Sequence, residues 1–323
     1  MEISLTKETK APQNYHLEFH GQGSAYFSIM IVNWLLTILT LGIYYPWARA
    51  KQLRYIYGQT SLNDTRFHFS GTGKEIFLGY VKIILLFVGG YLLLFLLAYF
   101  SHPVVGLLFI YLGFLIIIPF AIHGSLRYRM SRLSYRGIRF GYRGNRSELI
   151  KNFFKWIFLT AITFGIYGAW LQMNLRNYTH KHIRYGNLSF ENNGRGSTFF
   201  KINLVGYFLT ILTLGIYYFW WHCQVFNYYI DNLSITRDDD EKINFHSTAT
   251  GGGFFALMVS NFFIVVFTLG FGTAWADMRT QKYILENIQM EGNVDLEAIH
   301  QTEDEYNDAF GEEAIDFFEI DLA

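Results

Sequence analysis

Five stretches of this chain carry no Asp, Glu, Lys or Arg: Gly21–Ala48, Ile83–Leu126, Trp156–Leu175, Ile202–Ile230 and Ile243–Ala276. A helix needs about 20 mostly apolar residues to cross a bilayer, so each stretch is long enough. Ile83–Leu126 has room for two, with a break at Ser101-His102-Pro103. The pattern predicts spans near 26–46, 80–100, 104–122, 153–172, 200–221 and 254–275. Ahead of the spans lie short alternating runs followed by paired glycines. These are Leu17-Glu18-Phe19 with Gly21 and Gly23, Phe67-His68-Phe69 with Gly71 and Gly73, and Leu188-Ser189-Phe190 with Gly194 and Gly196. Ile243-Asn244-Phe245 precedes Gly251 and Gly253, and a looser copy is Ile138-Arg139-Phe140 with Gly141 and Gly144. Alternation before a glycine pair predicts a strand and a tight turn into a helix. The expected fold is therefore mainly α: a polytopic membrane protein of about six transmembrane helices, with short β-strands between helices.

The far end of each apolar stretch repeats a signature. A Thr-x-Gly is followed by a Trp five residues after the glycine and a Tyr eight residues after the Trp. The copies end on Gly42, Trp47 and Tyr55; Gly165, Trp170 and Tyr178; Gly215, Trp220 and Tyr228; and Gly270, Trp275 and Tyr283. A second unit lacks Thr-x-Gly but echoes Pro46-Trp47-Ala48…Tyr55 as Pro119-Phe120-Ala121…Tyr128. Five tandem units result, near 15–62, 63–134, 135–186, 187–236 and 237–290, in one membrane domain covering 1–290. Glycine at φ > 0 ends a helix there, and the Thr hydroxyl satisfies a freed carbonyl. The Trp and Tyr fit two readings equally: an amphipathic helix at the headgroup level, or packing between helices.

Composition and charge sharpen this picture. Aromatics reach 19% and charged residues only 16%, against about 25% charged in ordinary soluble proteins. The first twenty residues carry Glu2, Lys7, Glu8, Lys10 and Glu18 and do not read as a signal peptide. Formal net charge is zero, but twelve acidic residues and no Lys or Arg lie in 291–323. That segment is an acidic tail whose apolar positions 315, 317, 318 and 320 fit docking onto the protein's own basic loops and, almost equally, a solvated tail. Basic residues flank the apolar stretches: Arg49, Lys51 and Arg54; Arg127 to Arg146; Arg176, Lys181 and Arg184. They read as anchors to anionic headgroups of a lipid bilayer and form no separate nucleic-acid surface. Two topologies follow. Units that cross once put alternate loops on opposite sides, against the charge bias of 173–199. Re-entrant hairpins leave every strand on one side. Single crossings are the expectation.

Candidate chemistry is sparse. Gly71-Thr72-Gly73-Lys74 lacks the remainder of a phosphate loop and reads as a turn. The histidines show no zinc-binding pattern, His180 and His182 point apart on a helix, and Cys223 is the single cysteine. No metal, no cofactor and no catalytic residue is expected. The span interiors hold neutral polar residues, of which Asn33, Asn203 and Asn261 are the binding candidates. Hydrogen bonding between helices accounts for them without any ligand.

Thr40-Leu41-Gly42-Ile43-Tyr44-Tyr45-Pro46-Trp47-Ala48-Arg49, the segment Phe67 to Gly73, and the terminal Gly311-Glu312-Glu313…Asp316-Phe317-Phe318-Glu319-Ile320-Asp321 together resemble the YjgN-like family of bacterial inner-membrane proteins. The resemblance runs from about residue 15 to the end. It implies a multi-pass protein of the bacterial inner membrane with no established activity and no site residues to carry over. The functional expectation is a non-enzymatic protein that transports or binds a small solute or lipid. The alternative is a structural or assembly module at the membrane surface, binding protein partners or a second copy of itself.

Overall fold

The computed structural model describes residues 13–100, 103–237, 241–294 and 298–302. The first unit runs β1 (Gln13–Phe19), α1 (Gly23–Leu39), α2 (Tyr45–Gly58) and β2 (Thr60–Leu62). The second runs β3 (Thr65–Arg66), β4 (His68–Phe69), α3 (Gly73–Phe100), α4 (Pro103–Arg132) and β5 (Leu133–Tyr135). The third is β6 (Ile138–Tyr142), α5 (Arg146–Ile162), α6 (Gly168–Lys181) and β7 (Ile183–Tyr185). The fourth is β8 (Leu188–Asn192), α7 (Gly196–Leu212), α8 (Tyr218–Asp231) and β9 (Leu233–Arg237). The fifth is β10 (Glu241–Ser247), α9 (Gly251–Phe267), α10 (Thr273–Glu286) and β11 (Ile288–Gly292).

All these strands join one antiparallel sheet, ordered β3-β2-β1-β11-β10-β9-β8-β7-β6-β5-β4. The two ends of that order, β3 and β4, are halves of one extended segment. Phe67 alone separates them, and its N–H bonds to Thr60 O at 3.0 Å. The sheet therefore curls into a near-barrel, and β1 of the first unit pairs with β11 of the last. Curling in this way hides edges that would otherwise template pairing with another chain.

The alternating runs dictate which side faces in. Along β10, Ile243 and Ser247 are buried while Asn244 and His246 are exposed. Tyr15, Leu62, Tyr135, Tyr185, Leu188, Ile235, Ile243 and Met290 fill the interior, with Phe67, Phe140, Phe190 and Phe245 packed against them. Phe140 and Tyr185, paired across β6 and β7, stack with centroids 4.6 Å apart. The interior is a packed core of aromatic and branched side chains. Buried tyrosine hydroxyls need partners, and Tyr15, Tyr135 and Tyr185 donate to the carbonyls of Val294, Leu62 and Tyr135 at 2.7, 2.7 and 2.9 Å.

Each helical pair links two neighbouring antiparallel strands, and the units follow one another through a few residues at the opposite ends of those strands. Alternating connections of this kind place every helical hairpin at one end of the sheet. Successive helices pack side by side from α1 to α10, and α10 returns to pack on α1. The other end is covered by the chain beyond β11. Val294 and Ile299 enter the sheet core, Gln301 Oε1 accepts from Arg139 N at 2.8 Å, and Thr302 Oγ1 donates to Gly186 O at 2.6 Å. Gly186 permits this closure: its φ is +54°, and a Cβ there would overlap the His300 carbonyl. The expected docking contacts of residues 315–320 lie outside the described residues.

The expected polytopic bundle of six transmembrane helices is corrected by this architecture. Among the described residues, no helix is long and apolar enough to cross a membrane. The strands are not isolated connectors but a single sheet of eleven. The physical cause lies in the turns. Each charge-free stretch in the Thr-x-Gly units runs over one: Gly21–Ala48 contains α1, the turn at Thr40–Tyr44 and the start of α2. An apolar turn leaves no break in hydropathy, so two short antiparallel helices read as one long span. Single crossings are also excluded, since they would separate strands that are hydrogen-bonded to one another.

Candidate functional site

The hairpin tips are built alike in four units. The middle residue of Thr-x-Gly takes the left-handed conformation, with φ of +51° at Leu41, +49° at Phe164, +52° at Leu214 and +51° at Leu269. The following glycines Gly42, Gly165, Gly215 and Gly270 have φ between +91° and +93°. Two consecutive left-handed residues reverse the chain, and glycine removes the steric cost at the second. Each Thr hydroxyl then works in both directions. Thr40 Oγ1 donates to Leu36 O at 2.7 Å, closing α1, and accepts from Tyr44 N at 3.0 Å, opening α2. Thr163, Thr213 and Thr268 repeat both bonds, with Tyr167, Tyr217 and Gly272 as donors. The anticipated roles of Thr and Gly hold.

What caps these tips is apolar and unshielded. Leu41, Phe164, Leu214 and Leu269 are 94%, 98%, 95% and 89% exposed. Apolar exposure continues down the first helix of each hairpin: Val32, Leu35 and Leu39 on α1; Leu204, Phe208 and Leu212 on α7; Phe262, Val266 and Phe267 on α9. Scattered exposed leucines are ordinary, but contiguous apolar faces of this extent mark contact surfaces.

The repeat Trp and Tyr form joints. Trp47, Trp170, Trp220 and Trp275 lie over Gly73, Gly196, Gly251 and Gly23, where an added Cβ would overlap the indole. Each of these glycines is the first residue of the next unit's helix, and Trp275 on Gly23 joins the fifth unit to the first. The Tyr eight residues later turns back to its own unit. Tyr55 OH accepts from Gln22 N at 2.9 Å and donates to Gln22 O at 3.1 Å. Tyr228 does the same at Arg195, while Tyr178 and Tyr283 donate to Asn145 O and Thr250 O. In the second unit Tyr128 donates to Thr72 O at 3.2 Å. Between the two readings of these aromatics, the packing one describes their contacts.

This pairing was not anticipated, though the sequence held a signal for it. The second unit has Phe120 where the others have Trp, and the third has Arg146 where the others start their helix on glycine. The missing knob and the missing hole adjoin the same seam. Gly71-Thr72-Gly73-Lys74 also resolves into a helix start. Thr72 N donates to Glu75 Oε2 at 2.9 Å and Glu75 N to Thr72 Oγ1 at 3.4 Å, a reciprocal cap.

The polar binding candidates do not converge. Asn33 Nδ2 donates to Ala48 O at 3.5 Å within the first hairpin, and Asn261 Nδ2 to Ala276 O at 3.2 Å and Thr280 Oγ1 at 3.1 Å within the fifth. Asn203 Nδ2 bonds Phe199 O at 2.7 Å in its own helix. The position shared by Asn33 and Asn261 is Trp156 in the third unit and Gly206, beneath Trp221, in the fourth. Among basic residues, Arg54 donates to Gly71 O at 3.0 Å, Arg132 meets Glu75 at 2.6 Å, and Arg176 lies 4.1 Å over the Tyr229 ring. His180 Nδ1 bonds Arg176 O at 2.7 Å, and burial pulls its pKa down to about 4. Among the described residues no three His, Cys, Asp or Glu side chains gather into a metal-binding group.

A curled antiparallel sheet crowned at one end by apolar helical hairpins defines a class of protein with a large apolar contact face. The chain belongs to the family described as "Bacterial protein of unknown function (DUF898)", whose model matches residues 14–193 and 221–317. The YjgN resemblance is borne out as well. The chain is 38% identical over 136 residues to "Inner membrane protein YjgN" of Salmonella typhimurium, which covers 42% of this chain and 33% of that protein. Proteins of the same name from Escherichia coli O157:H7 and Escherichia coli K12 match at 38% and 39% identity over 124 residues, covering 38% of this chain and 30% of each. The chain thus aligns with about a third of the length of these curated relatives. No solved structure matches.

Proposed function

We propose that this chain is an inner-membrane protein acting as a non-enzymatic structural module, its hairpin crown in contact with lipid and its sheet surface open to protein partners. The relatives named inner membrane proteins support the location. The observation that carries the structural reading is the filled sheet interior. Aromatic side chains pack it, and Val294 and Ile299 close one end. The outer surface offers what a partner needs: rows of polar side chains such as His16, Gln289 and His246, aligned across β1, β11 and β10. Asn14, Glu291 and Asn244 form a second row on the same face. Transport of a small solute or lipid is the competing reading. It calls for Asn33, Asn203 and Asn261 on one path, whereas each bonds within its own hairpin or helix.

A photo-crosslinking residue placed at Asn244 in the full chain, in cells, tests the proposal. Discrete protein adducts are expected from Asn244 and not from buried Ile243. Adducts missing from the outer face, together with solute flux through reconstituted vesicles, would overturn it in favour of transport.

A further inference from the structure

We infer that the four short hairpins enter the lipid bilayer from one side only, to a depth of about one leaflet, and that the sheet stays in water on that side. The inference deepens the proposed membrane contact by fixing its geometry, and it commits to one occupant for the apolar crown: the hydrocarbon of a lipid leaflet.

Three independent features lead there. Topology is the first. Every strand belongs to one sheet and every hairpin leaves it at the same end, so the tips share a direction. Length is the second. The first helices α1, α5, α7 and α9 have 17 residues each and the returning helices α2, α6, α8 and α10 have 14. Seventeen residues rise about 25 Å, less than the ~30 Å hydrocarbon core once the polar base of the hairpin is discounted. Such a hairpin reaches into a bilayer and comes back.

Charge distribution is the third feature. On the outgoing helices the last charges before the tip are Lys155 on α5 and Lys201 on α7, and α1 and α9 carry none. On the returning helices the first charges after the tip are Arg176 on α6 and Asp231 on α8, whereas Arg49 on α2 and Asp277 on α10 follow within about a turn of the helix start and hold those two hairpins nearer the headgroups. Toward the tip come Leu204, Phe208, Ile211 and Leu212, then Leu214 at 95% exposure. The turn also goes some way to the condition that hydrocarbon imposes on a non-helical backbone, since its N–H groups bond internally. Gly215 N donates to Thr210 O at 2.8 Å, Ile216 N to Thr213 O at 3.2 Å and Tyr217 N to Thr213 Oγ1 at 2.9 Å. A water-facing turn has no need of an apolar residue in a left-handed conformation at its apex.

The test uses the full chain with Cys223 replaced by Ala, reconstituted in sealed phosphatidylethanolamine–phosphatidylglycerol vesicles. Leu214→Cys carries an environment-sensitive fluorophore; the side chain is almost fully exposed, so the change perturbs no packing. Lipids spin-labelled in mid-chain are expected to quench it more strongly than lipids labelled at the headgroup. Separately, Glu191→Cys on β8, before the α7–α8 hairpin, and Asn244→Cys on β10, after it, receive a membrane-impermeant maleimide. They are expected to react from the same side. Stronger headgroup quenching, or reaction of the two strand positions from opposite sides, overturns the inference. So does a tip shielded from both quenchers when the unlabelled Leu214→Cys variant also oxidises to a disulfide-linked dimer, which would show a second copy covering the crown. None of these readouts depends on partner binding or solute flux, so failure here is separable from failure of the structural-module reading.

Discussion

A leucine or phenylalanine in a left-handed turn is costly twice over, once for the backbone and once for the exposed side chain. Non-glycine residues in that conformation store roughly 1–2 kcal/mol, and immersing a fully exposed Leu or Phe in an apolar medium recovers about 1.5–3 kcal/mol. At Leu41, Phe164, Leu214 and Leu269 the second quantity offsets the first, provided that the tip meets hydrocarbon. Replacing Leu269 with Asn relieves the backbone but removes the apolar contact. The expected outcome is a detergent-solubilised protein of equal or higher Tm with a tip fluorophore that moves toward the headgroup level. His180 supplies a second prediction at this scale. Its folded pKa of about 4 lies below the usual value of 6.5, so the unfolded chain takes up the proton first as pH falls. Stability is full above about pH 6.5 and declines toward pH 4, by at most about 3 kcal/mol at this site. Denaturation followed across that range should show the slope, and His180→Gln should flatten it. The tip residues were legible in the sequence as a repeated signature, since Thr and Gly act through local backbone chemistry. The burial of His180 was not, because it depends on neighbours brought in by the fold.

Between elements, the repeat is a set of joints. A Trp covers the glycine that opens the next unit's first helix, and a Tyr ties the returning helix to the start of its partner. Gly251→Val places a branched side chain where the Trp220 indole lies. It should lower stability by about 1–3 kcal/mol through overpacking and loosen the α8–α9 contact, seen as faster hydrogen exchange in both helices. Tyr228→Phe removes two hydrogen bonds to Arg195 and should cost about 1 kcal/mol, read from a denaturant midpoint. The seam between α4 and α5, with Phe120 and Arg146 in place of Trp and Gly, lacks this interlock. Its amides are expected to exchange before those of the other seams. The sequence shows that Trp and Tyr recur at fixed spacing. It does not show that they serve different neighbours, because residues eight apart on a helix look equivalent until the flanking helices are placed.

For the whole molecule, the decisive event is the closure of the sheet. Pairing β1 with β11 brings residues near 15 and 290 into register, a contact no local pattern announces. Truncation after Gly292 would strip Val294 and Ile299 from the core and leave the Tyr15 hydroxyl without the Val294 carbonyl. The expected result is a lower Tm with helices retained by circular dichroism. By itself the sequence determined five repeated units, the places where strands precede helices, and the chemistry of the turns. Periodicity and glycine placement are local, and local physics reads them. Whether a charge-free stretch crosses a bilayer or folds back on itself was decided by tertiary structure. An apolar turn and an apolar helix have the same hydropathy, and only the hydrogen bonds between distant strands hold every unit on one side.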